Sequence, residues 1–347
     1  MKNRTSFALR PGSVAALALS SLVLFASPAA AQEVVNIYSS RHYDTDERLY
    51  SDFTALTGIE VNRIEGKADG LITRLETEGE NSPADLLITV DAGRMWRAEQ
   101  AGVLQAVQSD VLDAAIPEHL RHPEGVWYGF SQRARIIFYA KDRVSEPPKT
   151  YEALADPKYK GQVCTRSGSN IYMLSLMAAI IDHHGEEVAT EWAKGMWDNR
   201  SRDPQGGDTD QLRAIVSGEC DIVVSNTYYY ARGLGGGVDG LSGSTDMIGW
   251  VFPNQSTYGT HVNISAAAVT AHAPNKENAI AFLEYLSTPQ AQQYFSDGNN
   301  EYPAVPGVEL GPNVAALGLF RQDTLSLDVL GENQAAAQAI YDSVGYQ

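Results

Sequence analysis

The chain has 347 residues, with 43 acidic against 26 basic side chains and a formal net charge of -17. So acidic a balance disfavours nucleic acid and anionic membranes as partners and weakly favours cations. Apolar residues make up 44% of the chain, yet no segment reaches the ~20 consecutive apolar residues a bilayer span needs.

Residues 1–31 read as a secretory signal peptide. Lys2, Arg4 and Arg10 form a basic start, Val14 to Phe25 is apolar, and Ala29-Ala30-Ala31 is a small-residue cleavage pattern before Gln32. The mature protein is therefore expected in the periplasm. Removal of the leader leaves about 316 residues with a net charge near -20, enough chain for two domains of ordinary size.

Strands and helices then alternate, the pattern of an α/β fold with largely parallel sheets. Val34 to Tyr38 reads as a strand. Asp44 or Thr45 caps a helix carrying Leu49, Phe53 and Leu56, which Gly58 closes. Ile59 to Ile64 is a strand, Leu71, Ile72 and Leu75 mark an amphipathic helix, and Leu86 to Val90 is a buried strand. Asp91-Ala92-Gly93 opens a helix that stops at Gly102. Trp127 to Phe130 and Ile136 to Tyr139 read as long strands running between two bodies. A second α/β unit has a strand at Gln162 to Arg166, a helix from about Tyr172 to Asp182, another around Trp192, one with Leu212, Ile215 and Val216, and a strand at Asp221 to Val224. Gly233 to Gly237 is expected as a linker. Trp250 to Asn254 and His261 to Val269 are strands before the helix Lys276 to Leu286. Crossings near 135 and 260 make the lobes discontinuous: 32–134 and 261–305 in one, 135–260 in the other, and a helical segment 306–347 packing on the second lobe. A hinge and a ligand cleft between the lobes follow.

Cys164 lies eight residues before Tyr172 and Cys220 eight before Tyr228. If both tyrosines leave the same end of neighbouring parallel strands, the cysteines lie level at the other end, where an oxidising compartment permits a disulfide. The tyrosines themselves are the stronger signal. Tyr228-Tyr229-Tyr230 ends the apolar run from Cys220, and His42-Tyr43 ends the run from Val34. A phenol, with a pKa near 10, is a poor anion on its own. Beside a highly charged cation it ionises and becomes a hard oxygen ligand, which suits ferric iron. Arg41 and Arg232 are the nearby counter-charges for any excess of phenolate over the three positive charges.

Five motifs carry a family likeness: Ser39-Ser40-Arg41-His42-Tyr43, Ser82-Pro83-Ala84-Asp85, Ser169-Asn170-Ile171-Tyr172, Asn226-Thr227-Tyr228-Tyr229 and Asn263-Ile264-Ser265. Over nearly the whole mature chain they resemble the periplasmic ferric-iron-binding proteins, the solute-binding components of iron(III) ABC importers, in the branch whose first motif is a His-Tyr pair. The resemblance implies a two-lobed, hinged type II periplasmic binding protein, with mixed, mainly parallel sheets and two crossover strands. It implies iron ligands at Tyr43, Tyr172, Tyr228 and Tyr229, with His42 either ligating or standing back. Iron is then transported cargo, Fe3+ first with Fe2+ left open, and an inner-membrane ABC permease is the partner of a monomeric, non-enzymatic protein. The tyrosine-rich pattern does not call for a synergistic anion.

Other readings stay open at this point. An oxyanion would use hydroxyls such as Ser39, Ser167 and Ser169, a small organic ligand could fill the same cleft, and a secreted lyase could use tyrosine as base. Most of the 17 tyrosines must be packing residues, Tyr230 among them. His183-His184, His119 and His122 read as solvated, and Asp208-Thr209-Asp210 as a helix cap.

Overall fold

The computed structural model describes residues 1–3, 8, 33–41 and 43–346. The expected signal peptide lies almost wholly outside the described residues, and so does His42. The fold is built within Glu33–Gln347, and no described helix is long and apolar enough to cross a membrane.

Strands β1 (Val34–Ser39), β2 (Glu60–Glu65) and β3 (Leu86–Val90) run parallel, with β1 in the middle. Side chains alternate across β1. Val35 and Ile37 meet Leu49 and Phe53 of the helix Glu47–Thr57 together with Phe282. Tyr38 faces the other way, onto Leu71, Ile72 and Leu75 of the helix Ala68–Glu78. Gly58 ends the first helix in the left-handed region (φ 78°), its N–H donating to the Thr54 carbonyl.

The later strands are β4 (Tyr128–Ala140), β5 (Val163–Cys164), β6 (Ile222–Asn226), β7 (Ile248–Val251), β8 (Val262–Val269) and β9 (Tyr302–Pro303). The two segments expected between Trp127 and Tyr139 are one strand of 13 residues. The sheet order is β2-β1-β3-β8-β4-β6-β5, with β7 and β9 also paired to β4. The strands that alternate with helices pair in parallel, β5 with β6 as well as β1 with β2 and β3. Every ladder involving β4 or β8 is antiparallel. β4 changes partner in mid-course: Ala134 stands opposite Val262 of β8, and the next residue, Arg135, opposite Asn226 of β6. The Arg135 N–H donates to the His261 carbonyl at the same level. The chain segments near 135 and 260 thus lie side by side.

Several local expectations are corrected. The N-cap of the first helix is not Thr45 but Asp46, whose carboxylate is drawn off to the Arg41 guanidinium; the Asp44 side chain lies outside the described ones. The strand expected over Gln162–Arg166 is only Val163–Cys164, and Trp250–Asn254 shortens to end at Val251. Gly233 and Gly235 are not linker but complete the helix Thr227–Gly235. A Cβ on Gly233 would come within 2.8 Å of Leu241, so close packing explains that glycine. The helices expected near Tyr172 and Trp192 are consecutive parts of Ile171–Asp198, broken at Gly185 (φ 80°). Cys164 and Cys220 are joined as a disulfide with Cα atoms 5.9 Å apart. The tail helix Gln334–Ser343 packs on Ile171–Asp198, while Val329–Glu332 lies against both that helix and Ala92–Gln100.

Candidate metal centre

Each candidate tyrosine stands where a strand or loop hands over to a helix. Tyr43 follows β1, just ahead of the turn Asp44–Asp46. Tyr172 is the second residue of Ile171–Asp198, its N–H capped by the Asn170 side chain at 3.1 Å. Tyr228 and Tyr229 open the helix Thr227–Gly235, which follows β6 with no intervening loop. Side chains of neighbouring strand residues point to opposite faces. The turn into helix removes that obstacle, and the two rings lie 4.2 Å apart between centroids. Three of the four phenols therefore sit at helix N-termini, where the helix dipole favours negative charge.

The phenols converge. The Tyr228 hydroxyl donates to the Tyr172 oxygen at 3.3 Å. Arg232 stands 4.8 Å from the Tyr43 ring and 5.1 Å from that of Tyr228, spanning the two motifs. Burial pushes the Tyr228 phenol well above its ordinary value, and Tyr172, Tyr229 and Tyr43 all add to the rise. Tyr229 is raised by burial and again by Tyr172 and Tyr43. For Tyr43, burial and then Glu301 raise the pKa, while Arg41 and Arg232 pull it down. All four hydroxyls thus lie within electrostatic reach of one another, beside a cleft of about 790 Å³ lined by Tyr43, Tyr172, Tyr229, Lys67, Arg94 and Arg232.

Arginines ring the cluster. Arg41 is buried, 4.9 Å from the Tyr43 ring, and held by Asp46 at 3.0 Å and Glu301 at 3.1 Å. Arg133 was not singled out in the sequence. Burial works against its charge, but Glu301, Tyr172, Tyr228 and Asp91 outweigh that and raise its pKa. Its Nε and Nη2 are sealed from solvent with no hydrogen-bond partner among the described residues. Only Nη1 is served, by Ser265 at 3.1 Å and Glu301 at 4.0 Å, and buried donors left over in this way are costly until an acceptor arrives. The missed signal was local: Arg133 and Arg135 are two cations on one face of a segment that runs straight into Ile136-Ile137-Phe138, and charges are almost never buried in such a strand unless paired.

Arg135 and Arg166 share Asp208, which is fully buried, at 2.7 Å and 2.9 Å. Arg135 also donates to the Asn226 side chain at 3.0 Å, fixing the residue before Thr227-Tyr228-Tyr229. The cap expected in Asp208-Thr209-Asp210 is there, made by Asp210, which accepts from the Gly207 N–H, while Asp208 serves the arginines. The Asn226 side chain makes no cap bond of its own, being held by the arginine. Asp208→Asn should cost about 3–5 kcal/mol of stability, read by urea unfolding, because it strands a buried cation.

The remaining histidines are not simply solvated. His183 stacks on Tyr258 at 3.7 Å and meets Asp323 at 2.6 Å, and His184 meets Glu152 at 2.8 Å. His119 meets Gln322 at 3.1 Å, and His122 meets Glu99 at 3.2 Å. None lies in the tyrosine cleft. Tyr230 is a packing residue, buried against Phe138 and Trp250 with its hydroxyl donating to the Thr245 carbonyl.

Residues 81–316 match the family model of bacterial extracellular solute-binding proteins. Iron uptake protein A1 of Synechocystis sp. is 49% identical over 91% of this chain and 88% of its own length. Iron uptake protein A2 of the same organism is 46% identical over 99% of each. Among solved structures, a Trichodesmium protein called IdiA or FutA, in complex with iron and citrate, superposes with a TM-score of 0.88 at 50% identity, covering 90% of this chain and all of that one. The ferric binding protein from Campylobacter jejuni gives 0.85 at 39% identity, with 90% of this chain and all of that one covered. The two-lobed, hinged type II periplasmic binding fold is shared with these structures. With more than half its length matched by the family model and relatives near one-half identity, this chain belongs to the bacterial extracellular solute-binding proteins.

Proposed function

We propose that this protein captures ferric iron in the tyrosine cleft and delivers it to an ABC permease in the inner membrane. Tyr43, Tyr172, Tyr228 and Tyr229 are the ligands, and His42, outside the described residues, is a fifth donor or an outer neighbour. The observation that carries this reading is the convergence of four phenols beside the unpaired buried face of Arg133. Ionised phenols supply hard oxygen and add negative charge on the side of Arg133 that Glu301, 4.0 Å from its Nη1, does not serve. The names of the relatives, iron uptake proteins and an iron–citrate complex, support the same cargo. The hydroxyls an oxyanion would need are engaged: Ser39 with the Arg41 backbone, and Ser167 with Ser169 at 2.8 Å.

The working protein is a periplasmic monomer, freed of residues 1–31, that binds without chemical turnover. Its lobes are 32–134 with 261–305, and 135–260, with 306–347 packed mainly on the second. Iron entering the cleft draws the lobes together because only the closed form completes its coordination. Reopening, phenol protonation or reduction to ferrous iron releases it. Titration of ferric citrate into apo protein should produce a visible phenolate-to-iron charge-transfer colour that saturates at one iron per chain. A colourless complex, or no uptake, would overturn the reading.

A further inference from the structure

Away from the tyrosine cleft, three elements bring metal-ligating side chains together. Glu99 sits at the end of the helix Ala92–Gln100, His122 in the loop before β4, and Asp328 just ahead of Val329–Glu332 in the tail. One donor atom from each lies within 4.8 Å of the other two. His122 Nε2 is 3.2 Å from one Glu99 oxygen. The other Glu99 oxygen, Oε2, and Asp328 Oδ1 are both sealed from solvent, with no hydrogen-bond partner among the described residues. The Trp127 ring stands edge-on to His122 at 5.8 Å. Burial raises the Glu99 carboxyl, His122 and the Trp127 indole N–H oppose this, and Asp328 and Glu124 raise it further. Two carboxylates thus crowd one imidazole, each with one oxygen sealed from solvent, while the His122 and Glu99 side chains keep 12% and 24% exposure. Nothing in the tyrosine cluster uses them.

We propose that Glu99, His122 and Asp328 form a second metal site that takes a borderline divalent ion of the zinc class. One imidazole and two carboxylates are a donor set such ions accept, with water completing the tetrahedron. Ligand bonds of about 2.0–2.2 Å need donors about 3.5 Å apart, within reach of side-chain rotation at Glu99 and Asp328. His122 Nδ1 accepts from the exposed Glu124 N–H at 3.0 Å, which puts the ring proton on Nε2 in the metal-free form. Ligation through Nε2 moves that proton to Nδ1 and releases the Glu124 amide to water. The bound ion ties the tail to the helix Ala92–Gln100. Because Gln334–Ser343 packs on Ile171–Asp198, it fastens one element across the two neighbours the tail touches.

The test is a Zn2+ titration of the mature protein by calorimetry, wild type beside His122→Ala and Asp328→Asn, with melting curves at each zinc level. Wild type should bind one zinc that both variants bind at least about tenfold more weakly, since even outer-shell partners of a metal carry 10–100-fold in affinity. Zinc should raise the melting temperature of wild type more than that of either variant. Zinc entering the tyrosine cleft would be common to all three proteins, so the difference between them reports this site whether or not the cleft takes iron. Should one variant fail to fold, the other decides. Equal zinc binding by wild type and variant, or none by wild type, overturns the proposal and leaves an imidazole–carboxylate pair.

Discussion

Tyr228→Phe combined with Tyr229→Phe should abolish ferric iron binding while leaving the protein folded. Phenylalanine keeps both rings, so the 4.2 Å ring contact and the burial of Tyr228 survive. The hydrogen bond given up by Tyr228 is the 3.3 Å contact to Tyr172, worth about 1 kcal/mol at most in a stability measurement. The cost to iron is of another order. Loss of an outer-shell partner already weakens metal sites about 10–100-fold, and two direct ligands must exceed that. Competition against citrate should therefore show a drop well beyond about 100-fold, with the charge-transfer colour gone. Each single variant should shift the colour and fall between wild type and the pair, because the charge balance loses one phenolate. A double variant that binds iron as tightly as wild type would place the cargo elsewhere. Urea unfolding of the same samples separates this from simple misfolding.

What the sequence made legible was chemistry that repeats in a local context. Tyr43, Tyr228 and Tyr229 stand out because they follow apolar runs, whereas Tyr172 is singled out only by the family motif Ser169-Asn170-Ile171-Tyr172. The strand Leu86–Val90 and the helix Lys276–Leu286 were readable to the residue because burial and periodicity agree there. What stayed hidden depends on partners distant in the chain. That Tyr128–Ala140 is a single strand exchanging β8 for β6 at Arg135 follows from sheet pairing, which period-two alternation does not encode. Asp46, Asp208 and Asn226 stand at helix starts and carry the right chemistry for caps. Each is instead claimed by an arginine, Arg41 for the first and Arg135 for the others, because a buried guanidinium gains more from a carboxylate or amide oxygen than a helix end open to water does. Likewise Glu99, His122 and Asp328 are far apart in sequence and meet only through packing of the tail. The histidines looked solvated because each sits near a loop or helix end, and their acidic partners come from other segments.

Iron affinity should fall steeply as pH drops, and the sign follows from the phenols. In the metal-free protein burial raises Tyr43, Tyr228 and Tyr229 above the ordinary tyrosine value. Raised groups of this kind are neutral in both folded and unfolded chains at pH 7, so they leave the stability of the metal-free protein flat there. Any loss they cause comes only as pH climbs past the unfolded value near 10. Iron binding is different, because each ligating phenol must give up its proton to become a donor. Below the phenol pKa every ionising ligand adds about one unit of slope to the logarithm of the affinity against pH, up to about four for four phenols. Lowering the pH from 7 to 5 at fixed free ferric ion should therefore empty the site, with the colour as the readout. A pH-stat titration offers the sharper count. The protons released per iron bound should drop by about one in Tyr228→Phe relative to wild type, with citrate's own contribution common to both. An unchanged count would mean that Tyr228 stays protonated in the complex and ligates nothing. On the proposed ligand set the raised pKa values also give release a direction: wherever the local pH falls, protons compete with iron for the same oxygens, and Arg41 and Arg232 at Tyr43 and Arg133 at Tyr228 pull against that rise.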